Sequence, residues 1–221
     1  MEPESPLLDD FVLGLTGKSR PHVCFLATAS GDATAYIERF YQAMPASRCR
    51  ASHLNLFTRN RINLREHLLR QDVVYVGGGN TANMLAVWRV HGVDDVLRVA
   101  WRQGIVLTGI SAGANCWFEC SCTDSFGPLA ALQDGLGILP GAGCPHYDGE
   151  RNRRPTFRRL VASGQLPDGL ALDDGVGVHF VGRRLAEVVS SRPRAKAYRV
   201  FRRGGRAIEQ VIDTRFLGVA S

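Results

Sequence analysis

The feature that most narrows the fold is the stretch Gly104-Ile-Val-Leu-Thr-Gly-Ile-Ser-Ala-Gly-Ala-Asn115, where an apolar run breaks on Gly109-Ile-Ser111-Ala-Gly113 and passes into a helix-like segment. A serine on a sharp strand-to-helix corner needs glycines two positions before and after it, because the backbone approaches itself closely there. Such a corner pushes the hydroxyl outward. It also aims the Ala112 amide and the positive end of the following helix at the space above Ser111, where an oxyanion would form. The same letters also fit an ordinary glycine–serine turn, so the neighbouring elements have to decide between the two.

Those neighbours alternate between buried-strand and helix patterns. His22 to Thr28 is a near-continuous apolar run, Ala33 to Met44 has helical spacing, and Arg50 to Phe57 alternates like a strand. Asn63 to Leu69 reads as a short helix, Asp72 to Val76 as a third strand, and Ala82 to Val90 and Val96 to Gln103 as helices. The alternation predicts an α/β fold, a mostly parallel sheet flanked by helices. Past Ser111 the helix is expected to run from Ala112 to Phe118, with loops from Glu119 to Pro128 and from Gly141 to Gly149. A helix over Thr156 to Ala162 and a short strand from Gly169 to the acids Asp173 and Asp174 follow. Runs near Val176, Ala186, Lys196 and Val211 then alternate like antiparallel strands at the C-terminal edge.

A chain of 221 residues can bury one α/β core, and no linker invites a division, so residues 1–221 are expected to form a single domain with residues 1–20 as a loose or partly docked arm. No apolar run approaches the roughly 20 residues that span a bilayer, and the acidic start lacks the pattern of a secretory signal, so a cytoplasmic protein with no membrane association is expected. The net charge of +6 rests on scattered arginines without interleaved aromatics, which argues against nucleic acid as a partner. Six cysteines without paired C-x-x-C spacing read as reduced core residues, with no metal site expected.

A nucleophilic serine needs a base, an acid to orient the base, and donors for the oxyanion. Gly77-Gly-Gly79, placed between a strand and a helix, frees backbone amides to face an anion, with Asn80 and Thr81 as the helix cap. His146 follows Pro145 on a glycine-rich loop and is the candidate base. For the acid, Asp174 at a strand end and Asp124 on the loop between serine and histidine are both candidates.

Four segments, Val76-Gly-Gly-Gly-Asn-Thr81, Gly109-Ile-Ser-Ala-Gly113, Cys144-Pro-His-Tyr-Asp148 and Leu172-Asp-Asp-Gly175, together resemble the dipeptidase E (α-aspartyl dipeptidase) and cyanophycinase group of serine peptidases. The likeness spans about residues 22 to 190. It implies a fold similar to class I glutamine amidotransferases, with Ser111 as nucleophile, His146 as general base and Asp174 favoured as the acid. It further implies an oxyanion hole from the amides of Gly79 and Ala112, a short peptide as substrate, and no cofactor. Asn80 and Arg153 are the expected substrate contacts, Arg153 through a guanidinium fork on a substrate carboxylate. The expected assembly is a monomer or homodimer. Rival functions are a β-aspartyl peptide hydrolase or an esterase at the same site, or a ligand-binding protein that uses Ser111 only to hold its ligand. A cysteine mechanism is disfavoured because neither Cys116 nor Cys144 occupies the elbow.

Overall fold

The computed structural model describes residues 6–58 and 62–219, which form two compact units, 1–113 and 114–221. The first unit contains, in chain order, α1 (Leu7–Gly14), β1 (His22–Leu26), a 3-10 turn (Thr28–Ser30), α2 (Thr34–Ala43), β2 (Arg50–Leu54), α3 (Leu64–Leu69), β3 (Val73–Val76), α4 (Thr81–His91), α5 (Val93–Arg102) and β4 (Val106–Gly109). Its sheet has the order β2-β1-β3-β4, and every pair is parallel. The central strands are buried on both faces, which is why they read as continuous apolar runs rather than alternating ones. Phe25 stacks on Phe40 at 4.7 Å between ring centroids, with Tyr75 edge-on to Phe25, and these rings anchor the core beneath α2.

Register brings the strand ends together. Leu26 lies opposite Val76, and Val76 opposite Gly109, so the turns after β3 and β4 leave the sheet side by side at its carboxyl edge. Within the expected arm, residues 1–5 lie outside the described residues, while α1 docks through Leu13 and through buried Asp9, whose carboxylate accepts from the Tyr75 hydroxyl at 2.9 Å.

The short helix α6 (Ala112–Asn115) carries the chain into the second unit. There follow β5 (Phe118–Thr123), β6 (Ala130–Leu132), β7 (Leu139–Cys144), α7 (Arg153–Ala162), β8 (Gly169–Leu172), β9 (Val176–Val181), β10 (Arg184–Ser190), β11 (Ala197–Arg203), β12 (Arg206–Ile212) and β13 (Arg215–Phe216). Six strands form a mixed sheet, β12-β11-β8-β7-β5-β6, in which β5–β7 and β7–β8 are parallel and the outer pairs antiparallel. A separate three-stranded sheet has the order β13-β10-β9. The core against α7 comprises Tyr147, Phe157, Leu160 and Val161, packed on Cys122, Cys144 and Val200.

The α/β class with antiparallel strands toward the C-terminus is as expected, but two local readings are corrected. The helix after Ser111 stops at Asn115, and Phe118–Thr123, expected as helix end and loop, is a buried strand. Likewise Leu139–Cys144 is a strand although it contains Pro140, Gly141 and Gly143. Glycine there answers to packing rather than to a turn: a Cβ on Gly143 would stand 2.6 Å from the Phe118 ring. No helix among the described residues is long and apolar enough to cross a membrane.

Candidate active site

Ser111 sits one residue past the Ile110 that follows β4, with φ of 54°, in the left-handed region that costs a non-glycine residue about 1–3 kcal/mol. Its flanking glycines are sterically required. A Cβ on Gly109 would lie 2.3 Å from the Gly113 carbonyl oxygen, and one on Gly113 would lie 2.3 Å from that of Val76. The corner is closed by Gly113 N–H donating to Ile110 O at 2.8 Å and by Ile110 N–H donating to Val76 O at 3.1 Å. The Ala112 amide makes no hydrogen bond among the described residues.

The triple-glycine turn lies against this corner. A Cβ on Gly78 would come within 3.2 Å of Ser111 Cβ and 3.7 Å of its Oγ. Most of the turn's amides are engaged: Gly77 with Leu26 O at 3.0 Å, Gly78 with the Tyr36 hydroxyl at 3.0 Å, and Asn80 with Ala29 O at 2.8 Å. The exception is Gly79, whose amide has no partner among the described residues. Gly79 has φ of 136°, and a Cβ there would stand 2.2 Å from Ala29 O, so no other residue fits without moving the turn. Asn80 is the N-cap of α4, its side chain accepting from Asn83 N at 2.9 Å. Tyr36, inside the Ala33 to Met44 segment whose spacing reads as helical, braces the turn through its hydroxyl, and burial pushes its phenol up, keeping it neutral.

In the second unit, β7 delivers Pro145 and then His146, which adopts φ of 59°. The strand β8 delivers Asp173 and Asp174 at its end. His146 Nδ1 and Asp174 Oδ1 are 2.6 Å apart, and because a carboxylate only accepts, the imidazole donates through Nδ1, which in the neutral ring leaves Nε2 as the acceptor. Both side chains stay partly open to solvent, at 30% and 41%. Between the two candidate acids the structure pairs Asp174 with the histidine; Asp124 lies exposed just past β5. The adjacent Asp173 is turned the other way, accepting from Lys196 N at 2.9 Å, and burial pushes its carboxyl up.

Arg153 is a strut. It is 3% exposed, with Nη1 donating to Cys122 O at 2.9 Å, and Nε and Nη2 donating to Glu150 at 3.0 and 2.6 Å. Arg154 is likewise engaged, bonded to Glu209 and lying over the rings of Tyr147 and Tyr198. All six cysteines are buried and free. Burial pushes the Cys116 and Cys144 thiols well up, which makes both poor nucleophiles. Among the described residues no cluster of three or more His, Cys, Asp or Glu side chains is arranged to hold a metal.

The fold is similar to those of two solved structures. A peptidase from an acI-B1 Actinobacterium superposes with a TM-score of 0.68 at 17% identity, covering 95% of this chain and 89% of that one. A structure from Listeria monocytogenes EGD-e, assigned to peptidase E, superposes with a TM-score of 0.54 at 18% identity, covering 92% and 93%. At such identities the likeness is one of fold. In sequence the chain is 47% identical over 218 residues to the uncharacterized peptidase YgaJ of Bacillus subtilis (strain 168), covering 99% of this chain and 94% of that protein. The model of Peptidase family S51 matches residues 1–188. The chain belongs to Peptidase family S51 and is a peptidase.

Proposed function

We propose that this peptidase is of the serine type and cleaves short peptides through an acyl-enzyme on Ser111. His146 Nε2 takes the Ser111 proton as Oγ attacks the carbonyl carbon, and the oxyanion is held by the amides of Ala112 and Gly79. As the tetrahedral adduct collapses, the C–N bond breaks and the imidazolium returns its proton to the leaving amine. Water, deprotonated by the same histidine, then releases the acid and restores the serine. Asp174 keeps the imidazole in the Nδ1–H tautomer and stabilises its charged form.

The observation that carries this reading is Ser111 itself. A non-glycine residue held at φ of 54°, between two glycines that admit no Cβ, is strain that persists because the surrounding backbone enforces it. Two backbone amides at the same sheet edge without hydrogen-bond partners among the described residues support it further. Preference for short peptides, and for an aspartyl residue at the cleaved bond, is suggested by the likeness to peptidase E and by the four shared segments.

The test combines labelling with a substrate panel. A diphenyl phosphonate is expected to label the wild type and to fail on Ser111→Ala. Dipeptides beginning with Asp, Ala, Leu or a β-linked aspartate are expected to show turnover, fastest with α-aspartyl. Labelling that persists in Ser111→Ala, or hydrolysis of esters with none of any peptide, would overturn the reading.

A further inference from the structure

Asp174 is held by two side chains that take no part in the proton transfers above. Its N–H donates to Asp148 Oδ1 at 2.7 Å, and its carbonyl accepts from Arg192 Nη1 at 3.0 Å. Arg192 Nη2 then reaches Asp148 Oδ2 at 3.2 Å, closing a three-membered ring of contacts around the Asp174 peptide. On the far side Gly175 O accepts from Ser191 N at 2.8 Å, so the segment bearing Arg192 is itself fastened to the Asp174 turn.

The geometry is reciprocal. Asp148 lies two residues beyond His146 on the same loop. That loop donates to the Asp174 loop through His146 Nδ1 and accepts from it through Asp148 Oδ1. The two segments are already joined where they leave their strands, by Tyr147 N–H donating to Leu172 O at 2.9 Å, and the two side-chain bonds, running in opposite senses, fasten the His146 and Asp174 turns beyond that junction. The loop between them also fits closely, since a Cβ on Gly149 would fall 1.9 Å from Asp174 Oδ2. His146 needs such support because its own backbone is at φ of 59°, a conformation it would leave if released.

We propose that Asp148 and Arg192 are positioning residues for the His146–Asp174 pair, Asp148 as the acceptor that fixes the Asp174 peptide and Arg192 as the fork that ties both together. This rests on the reading of His146 as base and Asp174 as its acid. The essential element is the acceptor oxygen at position 148 rather than its charge, because the Arg192–Asp148 ion pair is solvent-exposed and an exposed pair contributes little. Misplacing a catalytic group by about 1 Å costs on the order of 100-fold in rate.

The experiment measures kcat and KM on the preferred dipeptide, the phosphonate inactivation rate, and the downfield Nδ1–H proton resonance of His146. Asp148→Ala is expected to lower kcat about 30- to 100-fold with KM changed less than about threefold, and to lose the resonance to solvent exchange. Asp148→Asn retains an acceptor oxygen and is expected to restore kcat to within about fivefold, with the resonance present. Arg192→Gln is expected to lower kcat about tenfold, and it carries the test should Asp148→Ala fail to fold. Wild-type kcat in folded Asp148→Ala or in Arg192→Gln overturns the proposal. Equal impairment of the Ala and Asn variants with the resonance intact overturns it as well. His146→Ala is assayed in parallel. If it stays active, the base assignment falls and the positioning role with it; if it is inactive while Asp148→Ala is not, the positioning role alone falls.

Discussion

Replacing Arg153 with alanine separates a structural guanidinium from a substrate-binding one. The side chain is buried, and its Nη1 bond to the Cys122 carbonyl ties α7 to β5. A charge-assisted hydrogen bond of this kind contributes about 1.5–3 kcal/mol. Withdrawing three packed methylenes removes about 0.8 kcal/mol each. The tie to Glu150, whose side chain is 44% exposed, adds less than about 1 kcal/mol once solvent screening is counted. Collapse of the site and entry of water return part of this, so Arg153→Ala is expected to destabilise by about 3 kcal/mol. For a chain of this size that is a fall in melting temperature of about 6–12 °C.

The paired assay is thermal unfolding followed by circular dichroism, with KM measured below the transition for aspartyl and alanyl dipeptides. With the guanidinium spent inside the fold, the ratio of the two KM values is expected to change less than about twofold. An unchanged melting temperature together with a tenfold rise in KM for aspartyl substrates alone would refute the reasoning. It would mean that the fork meets substrate in solution.

Gly79→Ala forces a Cβ onto Ala29 O and disturbs an amide assigned to the oxyanion; kcat is expected to fall about 100- to 1,000-fold, and wild-type turnover would remove Gly79 from that role. Asp174→Asn is expected to lower kcat about 1,000-fold while Asp124→Asn stays within about twofold, and the opposite ranking in steady-state assays would reassign the acid. Glu209→Gln tests pH linkage. Burial alone would raise the Glu209 carboxyl, but the bonds from Arg154 and the Tyr147 hydroxyl overcome it and hold the group below its usual range. A depressed carboxylate contributes stability above its unfolded pKa and loses it as pH falls through the folded one. The variant should therefore be less stable at pH 7, with the gap in urea melts closing below about pH 4.3; a gap independent of pH would refute the linkage.

The parts whose signal is local were legible in the sequence. Buried parallel strands announce themselves as apolar runs, and β1 and β3 begin within a residue of their expected starts. Helix α3 begins after Asn63, which caps it by accepting from Glu66 N as its residue type predicts. The Gly-x-Ser-x-Gly and triple-glycine turns were readable because close backbone approach leaves no room for a Cβ at Gly109, Gly113 and Gly79. Less legible were β5 and β7. The first follows the elbow with little pattern of its own, and the second is built from proline and glycines that suit a loop until the Phe118 ring packs against Gly143.

Side-chain roles divided along the same line. Residue type and order along the chain put forward Ser111 and His146 as candidates and left Asp174 and Asp124 open as the acid, and the family likeness added the preference for Asp174 and for the Gly79 and Ala112 amides. None of these could say which way a side chain turns, because that depends on partners distant in sequence. Asp173 and Asp174 are adjacent and chemically identical, yet one faces Lys196 N and the other His146. Arg153 was expected to grip a substrate carboxylate, yet it is drawn inward by a carbonyl on β5. Tyr36 and Arg192 carry no motif and Asp148 closes one without a role of its own there, and each acquires its part from bonds to residues 18 to 44 positions away. Short-range sterics thus determined where the chain turns and which residues those turns present. The tertiary packing alone decided which of them are displayed and which are held inside, since hydrogen-bond satisfaction in a buried setting is settled by whatever the fold brings near.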